Sequence, residues 1–277
     1  MSTQIDTYRR KRGIKGPWEL SPIPNHKFQN IVIIPAYAES EYIGYALDSL
    51  SQCEVDSFDE TMVVVVVNNE ADAPPHIIDN NQQSLLNLTK RKDPFFVAVI
   101  DASSDGISIP KKHVGVGMAR KIGMDLALKF ANPHSLLFCL DADSLVAPTY
   151  FREIESHFNS THSVAVVVGF SHIKNENPYL EIAIRQYEAF LQKTAMKLAG
   201  AGSPFGYVSM GSTIICRAEA YASIGGMPRR KATEDFYFLQ EFAKFRRVDK
   251  IETILVYPSS RESERVYLGT GFRMSQA

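Results

Sequence analysis

Residues 135–148 read SLLFCLDADSLVAP, and the fold turns on how they are taken. The apolar run from Leu136 to Leu140 stops at Asp141-Ala142-Asp143. A short apolar run bounded by polar residues predicts a buried strand. Two carboxylates one residue apart repel each other unless a cation lies between them. In an extended segment residues i and i+2 point the same way, so Asp141 and Asp143 are expected to face one hard divalent ion. Such ions take few protein carboxylates and fill their other positions with water and phosphate oxygens. A metal-bridged diphosphate is the functional reading. The same residues also fit a polar turn after a buried strand, with Asp143 capping a helix.

Upstream of this stretch the chain alternates. Residues 30–35, 62–67 and 95–100 are apolar runs of strand length, and residues 62–67 are apolar throughout. A strand apolar on both faces belongs inside a parallel sheet covered by helices. Between these runs, Ile43, Ala46, Leu47 and Leu50 recur at helical spacing, as do Ala119, Ile122, Leu126 and Phe130. A further helix is expected near residues 84–90. The order is β-α-β-α-β-α-β, which predicts an α/β fold with a doubly wound, mostly parallel sheet. Ligands then lie outside the C-terminal strand ends. That gathers residues 35–39, 68–70, 115–120 and 141–143 around one crevice. Gly115-Val116-Gly117 opens a helix there, either freeing N–H groups for an anion or easing the helix past the sheet.

The second half is less regular. Strands are expected at residues 163–169, 212–216 and 251–257, and a long helix at 180–198. Thr233 is a good helix N-cap before Glu234 and Asp235. Acids in a first turn are stabilised as anions, so Asp235 is expected to be ionised at neutral pH.

The chain has 277 residues, 45% of them hydrophobic, enough for one α/β domain with a large core. Its net charge of −1 gives no global field for nucleic acid or membrane. Cys53, Cys139 and Cys216 are dispersed, which suits a reducing compartment and no disulfide frame. No run approaches the ~18 apolar residues of a membrane span. A soluble, cytoplasmic protein is expected. Residues 1–29 form a polar arm with Arg9, Arg10, Lys11, Arg12 and Lys15 beside Trp18, the only tryptophan. It is expected to pack on the domain or be partly disordered, to be removable without loss, and to touch a membrane at most peripherally. Residues 30–277 form one domain, 30–150 the nucleotide-binding half and 151–277 the acceptor half and tail.

The ordered set NIVIIPAYAESEYIGYALDSL, GVGMARKIGMDLAL, LDADSLV and GGMPRRKATEDFYFLQEFAKF resembles the nucleotide-sugar glycosyltransferases of family 2, which have the GT-A fold. The resemblance implies a donor site for the nucleoside diphosphate at Pro35, Ala36, Tyr37, Glu39, Arg120 and Asp141. Asp143, with Asp141, is implied as the ligand of a divalent cation, Mg²⁺ or Mn²⁺. Asp235 is implied as the general base, with Gly211 and Glu234 on the acceptor side. The family's second strand usually ends in acids that contact the base. Asn68 and Asn69 stand there instead, and Asn68 is taken as the base contact. Arg261 and Arg265 are candidates for covering the diphosphate. The resemblance further implies an inverting, metal-dependent transfer from a nucleoside-diphosphate sugar to a carbohydrate or lipid-linked acceptor hydroxyl. The Gln-x-x-Arg-Trp motif of processive synthases is missing, so single transfers are expected. The alternatives are a non-catalytic sugar-nucleotide-binding module and, less fitting, a sugar nucleotidyltransferase, which would want a Gly-rich loop after the first strand.

Overall fold

The protein is described from a computed structural model covering residues 3–55, 57–263 and 269–276. The chain opens with α1 (Gln4–Lys11). It then alternates through β1 (Phe28–Ala36), α2 (Ile43–Ser51), β2 (Thr61–Asn68), α3 (Pro75–Lys90), β3 (Phe96–Ala102), α4 (Val116–Ala127) and β4 (Ala131–Cys139). The later elements are β5 (Leu145–Val146), α5 (Tyr150–Ser160), β6 (Ala165–Phe170), α6 (Pro178–Gly200), β7 (Ile214–Arg217), α7 (Ala218–Ile224), α8 (Glu234–Ala243), β8 (Asp249–Tyr257) and α9 (Thr270–Ser275).

One curled sheet carries the order β3-β2-β1-β4-β7-β6-β8-β5. The first four strands pair in parallel, as the alternation predicts. β7 then runs antiparallel to both β4 and β6, β6 and β8 are parallel, and β5 is antiparallel to β8. β2 has five consecutive valines and is buried along its whole length. Its β-branched side chains suit a pleated surface covered on both sides. Alternation sends Val64 and Val66 into the layer with α4, and Val63 and Val65 into the layer with α2 and α5.

Several local expectations change. α3 starts at Pro75, not near residue 84, because proline is preorganised for a first helical turn. Its Asn/Gln-rich part is therefore helix. The strand before the paired aspartates ends at Cys139, and residues 141–144 form a turn closed by Ser144 N–H on Asp141 O at 3.1 Å. The period-two argument for Asp141 and Asp143 does not hold in a turn. Residues 3–29 are docked onto the body. The Tyr8 hydroxyl donates to Asp125 Oδ1 at 2.8 Å, Tyr221 donates to the same oxygen at 2.7 Å, and Ile14 N–H donates to Oδ2 at 2.8 Å. Lys121 Nζ closes the cluster, 2.9 Å from Asp125 and 2.6 Å from the Tyr8 hydroxyl. The arm thus packs on the domain, and removing residues 3–29 would take the Tyr8 hydroxyl and the Ile14 N–H from buried Asp125, so a loss of stability is expected where the sequence suggested none.

Candidate active site

The crevice at the C-terminal strand ends is organised by two arginines. Arg120, on the second turn of α4, is 2% exposed. Its Nη1 donates to Glu234 at the start of α8, and its Nη2 to Asp141 after β4. Two segments far apart in sequence are thus tied to one guanidinium. Gly211 makes room for it: a Cβ there would sit 2.3 Å from Nη2. The glycines that open α4 have a related task. A Cβ on Gly117 would lie 2.6 Å from Arg230 O and 2.7 Å from Pro228 O, so the segment leading to α8 crosses directly over this turn. The Gly-x-Gly pair here admits a neighbouring backbone.

Glu234 is buried, and burial raises its pKa to about 7 against the opposing pull of Arg120. Asp235 is half-buried, and its pKa is also raised by burial, with the Phe236 N–H on Oδ1 at 2.7 Å opposing. The helix start stabilises the anion less than burial destabilises it, so desolvation outweighs the N-terminal N–H in setting the direction of the shift. Thr233 does not cap α8 either. It is left-handed at φ +62°, and its hydroxyl donates to Ala232 O at 2.6 Å.

Arg261, beyond β8, organises the other side. Its Nε donates to Asp143 Oδ2 at 2.8 Å, and its Nη2 to Glu39 Oε1 and Oε2 at 2.5 and 2.7 Å. The guanidinium also lies 4.2 Å from the Tyr42 ring centroid. Glu39 follows Ala38, the second left-handed non-glycine residue among the described ones, at φ +55°. Ala38 N–H donates to Asn81 Oδ1 and Ser40 N–H to Asn80 Oδ1, both at 2.9 Å. Asn81 in turn donates to Asn68 O at 3.0 Å and Asn69 Oδ1 at 2.7 Å. α3 thereby holds the loop that carries Glu39.

Arg120, Asp141, Glu234 and Gly211 come together, and so do Glu39, Asp143 and Arg261. Pro35 and Ala36 end β1, with Tyr37 following. Asn68 is not aimed at a ligand through its amide N–H groups. Both donate to backbone carbonyls, Ala36 O at 3.0 Å and Val66 O at 3.1 Å. The acid at this end is Glu70, two residues on, where the Tyr37 hydroxyl reaches Oε1 at 3.4 Å. Its Oε2 is buried without a hydrogen-bond partner among the described residues. Only its place beside Asn68 and Asn69 marked it in the sequence. Asn81 and Tyr42 were also missed, being ordinary helix-surface types by pattern. Arg265 lies outside the described residues.

The donor chemistry fits a divalent cation. Asp143 and Glu39 are hard oxygen donors gathered around one positive group, and Asp143 remains 20% exposed toward the crevice. Such an ion would take its other ligands from phosphate and water. Asp141, paired with Arg120, is not directed at the same cation as Asp143.

A parallel half-sheet continued by an antiparallel β7, with acids converging at its strand ends, defines a GT-A frame. The chain belongs to glycosyltransferase family 2: the family described as "Glycosyltransferase like family 2" matches residues 29–246. No curated protein matches in sequence. Among solved structures, TarS 1-349 from S. aureus in complex with UDP-GlcNAc is 16% identical with a TM-score of 0.61, covering 90% of this chain and 61% of that one. Its UDP complex gives 16% and 0.59, covering 87% and 62%. The mannosyltransferase PcManGT from Pyrobaculum calidifontis, in complex with GDP-Man and Mn²⁺, is 16% identical with a TM-score of 0.52, covering 95% and 66%. At these identities the likeness is one of fold. The chain spans about three fifths of the length of the TarS 1-349 structures.

Proposed function

We propose that this chain moves a sugar from a nucleoside-diphosphate sugar to an acceptor hydroxyl, with inversion, with help from a divalent cation, and one transfer at a time. The observation that carries the reading is Arg120. It joins Asp141, on the donor side, to Glu234, beside the base. Donor and acceptor chemistry need that proximity, and a purely structural arginine would not need both acids at a strand-end crevice.

Pro35, Ala36, Tyr37 and Glu70 form the nucleoside end. Glu70 has an unpartnered buried oxygen that suits a base or ribose donor. Asp143 and Glu39 would hold Mg²⁺ or Mn²⁺, with Asp141 beside them. When bound, the ion supplies positive charge to the departing diphosphate. With the ion on Asp143 and Glu39, Arg261 would be free to pair with phosphate oxygens. Asp235 accepts the proton of the attacking hydroxyl, and its raised pKa strengthens it as a base. Gly211 and Glu234 border the acceptor. Direct attack assisted by one base inverts the anomeric centre.

The complexes of TarS with UDP-GlcNAc and of PcManGT with GDP-Man support a nucleoside-diphosphate sugar donor, and they differ in base. No helix among the described residues is long and apolar enough to cross a membrane, and the cysteines are free and buried, which favours a reducing, cytoplasmic setting. One observation favours a second reading, a non-catalytic nucleotide-sugar-binding module: Arg261 holds both acids that a metal requires.

Calorimetry with UDP, GDP, CDP, ADP and dTDP, with and without Mn²⁺, separates the two. Metal-dependent binding of one nucleotide is expected; metal-independent binding points to the module. Asp235→Asn should keep nucleotide binding and lower turnover by about 10²–10⁴-fold. Normal turnover in that variant removes Asp235 as the base.

A further inference from the structure

Behind the first turn of α4 lies a cavity of about 600 Å³ that the chemistry above does not use. Lys11, Arg12 and Lys15 of the arm and Arg229 of the segment leading to α8 line it, and none of its lining residues is acidic. All four cationic residues are exposed, and none has an ion-pair partner among the described residues. In a chain of net charge −1, four cations around one hollow are a local arrangement, not a reflection of overall charge.

The walls are fixed. Trp18 is buried, and its indole N–H donates to Ile107 O at 2.6 Å. Ile14, between the arm cations, is tied by its N–H to buried Asp125 at 2.8 Å. The floor is Met118, two residues before Arg120. Arg229 lies five residues before Glu234, on the segment clamped over Gly117, where a Cβ would come 2.9 Å from the Glu234 Cβ. The cavity, through Met118, and Glu234, through Gly117, therefore both border the first turn of α4.

We propose that this cavity binds a phosphate group of the acceptor, so that the acceptor is a phosphate-bearing molecule whose hydroxyl reaches Asp235 while its phosphate is held by Lys11, Arg12, Lys15 and Arg229. The proposal rests on the transferase reading. Arginine and lysine head groups pair with phosphate through charge-assisted hydrogen bonds. The hollow is large enough for a phosphate and the group next to it, within the usual range for ligand sites. The phosphate can belong to a soluble phosphopolyol or to a lipid phosphate. A flat bilayer is the poorer fit. The arm's tryptophan points inward, and of the exposed large apolar side chains only Ile23 lies in residues 3–29.

The test uses the full chain and the variant R12Q/K15Q/R229Q. Glycerol 3-phosphate and dodecyl phosphate are titrated into both by calorimetry at low and high salt, with the nucleotide panel in Mn²⁺ in parallel. At least one phosphate should bind the wild type, more weakly as salt rises, and should lose about tenfold or more in the variant. Preference for glycerol 3-phosphate points to the phosphopolyol, and preference for dodecyl phosphate to the lipid phosphate. Nucleotide binding should be equal in the two proteins. Equal phosphate binding by both proteins, or displacement of the phosphate by nucleotide, overturns the subsite. So does binding only to vesicles containing phosphatidylglycerol, which would make this face a membrane contact. Failure of every nucleotide to bind either protein overturns the transferase reading itself, and that arm tells the two failures apart.

Discussion

The two arginines of the crevice do the same local task in different settings. Arg120 is fully buried, sits on a helix packed against the sheet, and bridges two acids brought in from either side. Arg261 is 24% exposed, sits on the segment after β8, and also bridges two acids. The first is part of the core. The second is held chiefly by its acids and the Tyr42 ring, contacts for which the proposed cation would compete. The difference is one of burial: one side of the crevice is anchored in the core, and the other, on the proposed reading, is where a charged donor and its cation would enter.

The sharpest way to break this comparison is to remove each arginine. Arg120→Met leaves Glu234 buried without its cation and should cost about 3–5 kcal/mol of stability in urea unfolding. Arg261→Met should cost less, about 1–3 kcal/mol, because the guanidinium and Asp143 are partly exposed even though Glu39 is as buried as Glu234. Equal losses would mean that the tail is as much a part of the core as α4.

Asp143→Ala comes next. It should weaken Mn²⁺-dependent nucleotide binding by about 10–100-fold while leaving metal-free binding unchanged. Unchanged binding in Mn²⁺ would remove Asp143 from the metal site. Arg261→Ala, measured in the same way, should weaken Mn²⁺-dependent binding several-fold, because the contact proposed with the diphosphate is lost. Tighter binding would instead make Arg261 mainly a competitor for the acids that hold the cation.

The fixed side has its own pH signature. Glu234 binds its proton up to about pH 7 in the folded chain, against an ordinary value of 4.5. Between those limits the folded chain holds a proton that the unfolded chain has lost, so this residue's contribution to stability falls as pH rises and levels off above about 7. Glu234→Gln should flatten that part of the stability profile. A slope unchanged by the substitution would assign it elsewhere. The smallest effect is expected at Ala38. Ala38→Gly relieves a left-handed alanine, offset by added freedom in the unfolded chain, for a net gain below about 1 kcal/mol by thermal melt.

Much of the sheet could be read from the sequence because buried strands leave unbroken apolar runs, and the valines of β2 admit few other structures. The crevice followed from topology, since parallel strands bring their C-terminal loops to one edge. What could not be read depends on distant partners. Glu39 and Arg261 are 222 positions apart, and no local pattern links them. Tyr8 and Asp125 are 117 apart, so the arm looked like solvated charge although Ile5 and Tyr8 are core. Arg261 and the arm cations also fall outside the span matched by the family, and although Arg261 was a candidate for the diphosphate, its acid partners were not legible. Thr233 misled because N-cap preference is a statement about side chains, and here the backbone conformation was set by the close crossing over Gly117.

Ala38 and Thr233 immediately precede Glu39 and Glu234, the acids that reach the two arginines. A β-branched residue with positive φ is a costly choice, and glycine or asparagine would sit there more comfortably. Yet each backbone reversal sets the direction in which the next side chain leaves the chain. Relaxing either one would give a sturdier protein with a less certain aim. At these two positions, selection for thermal stability alone and selection for turnover should therefore choose different residues.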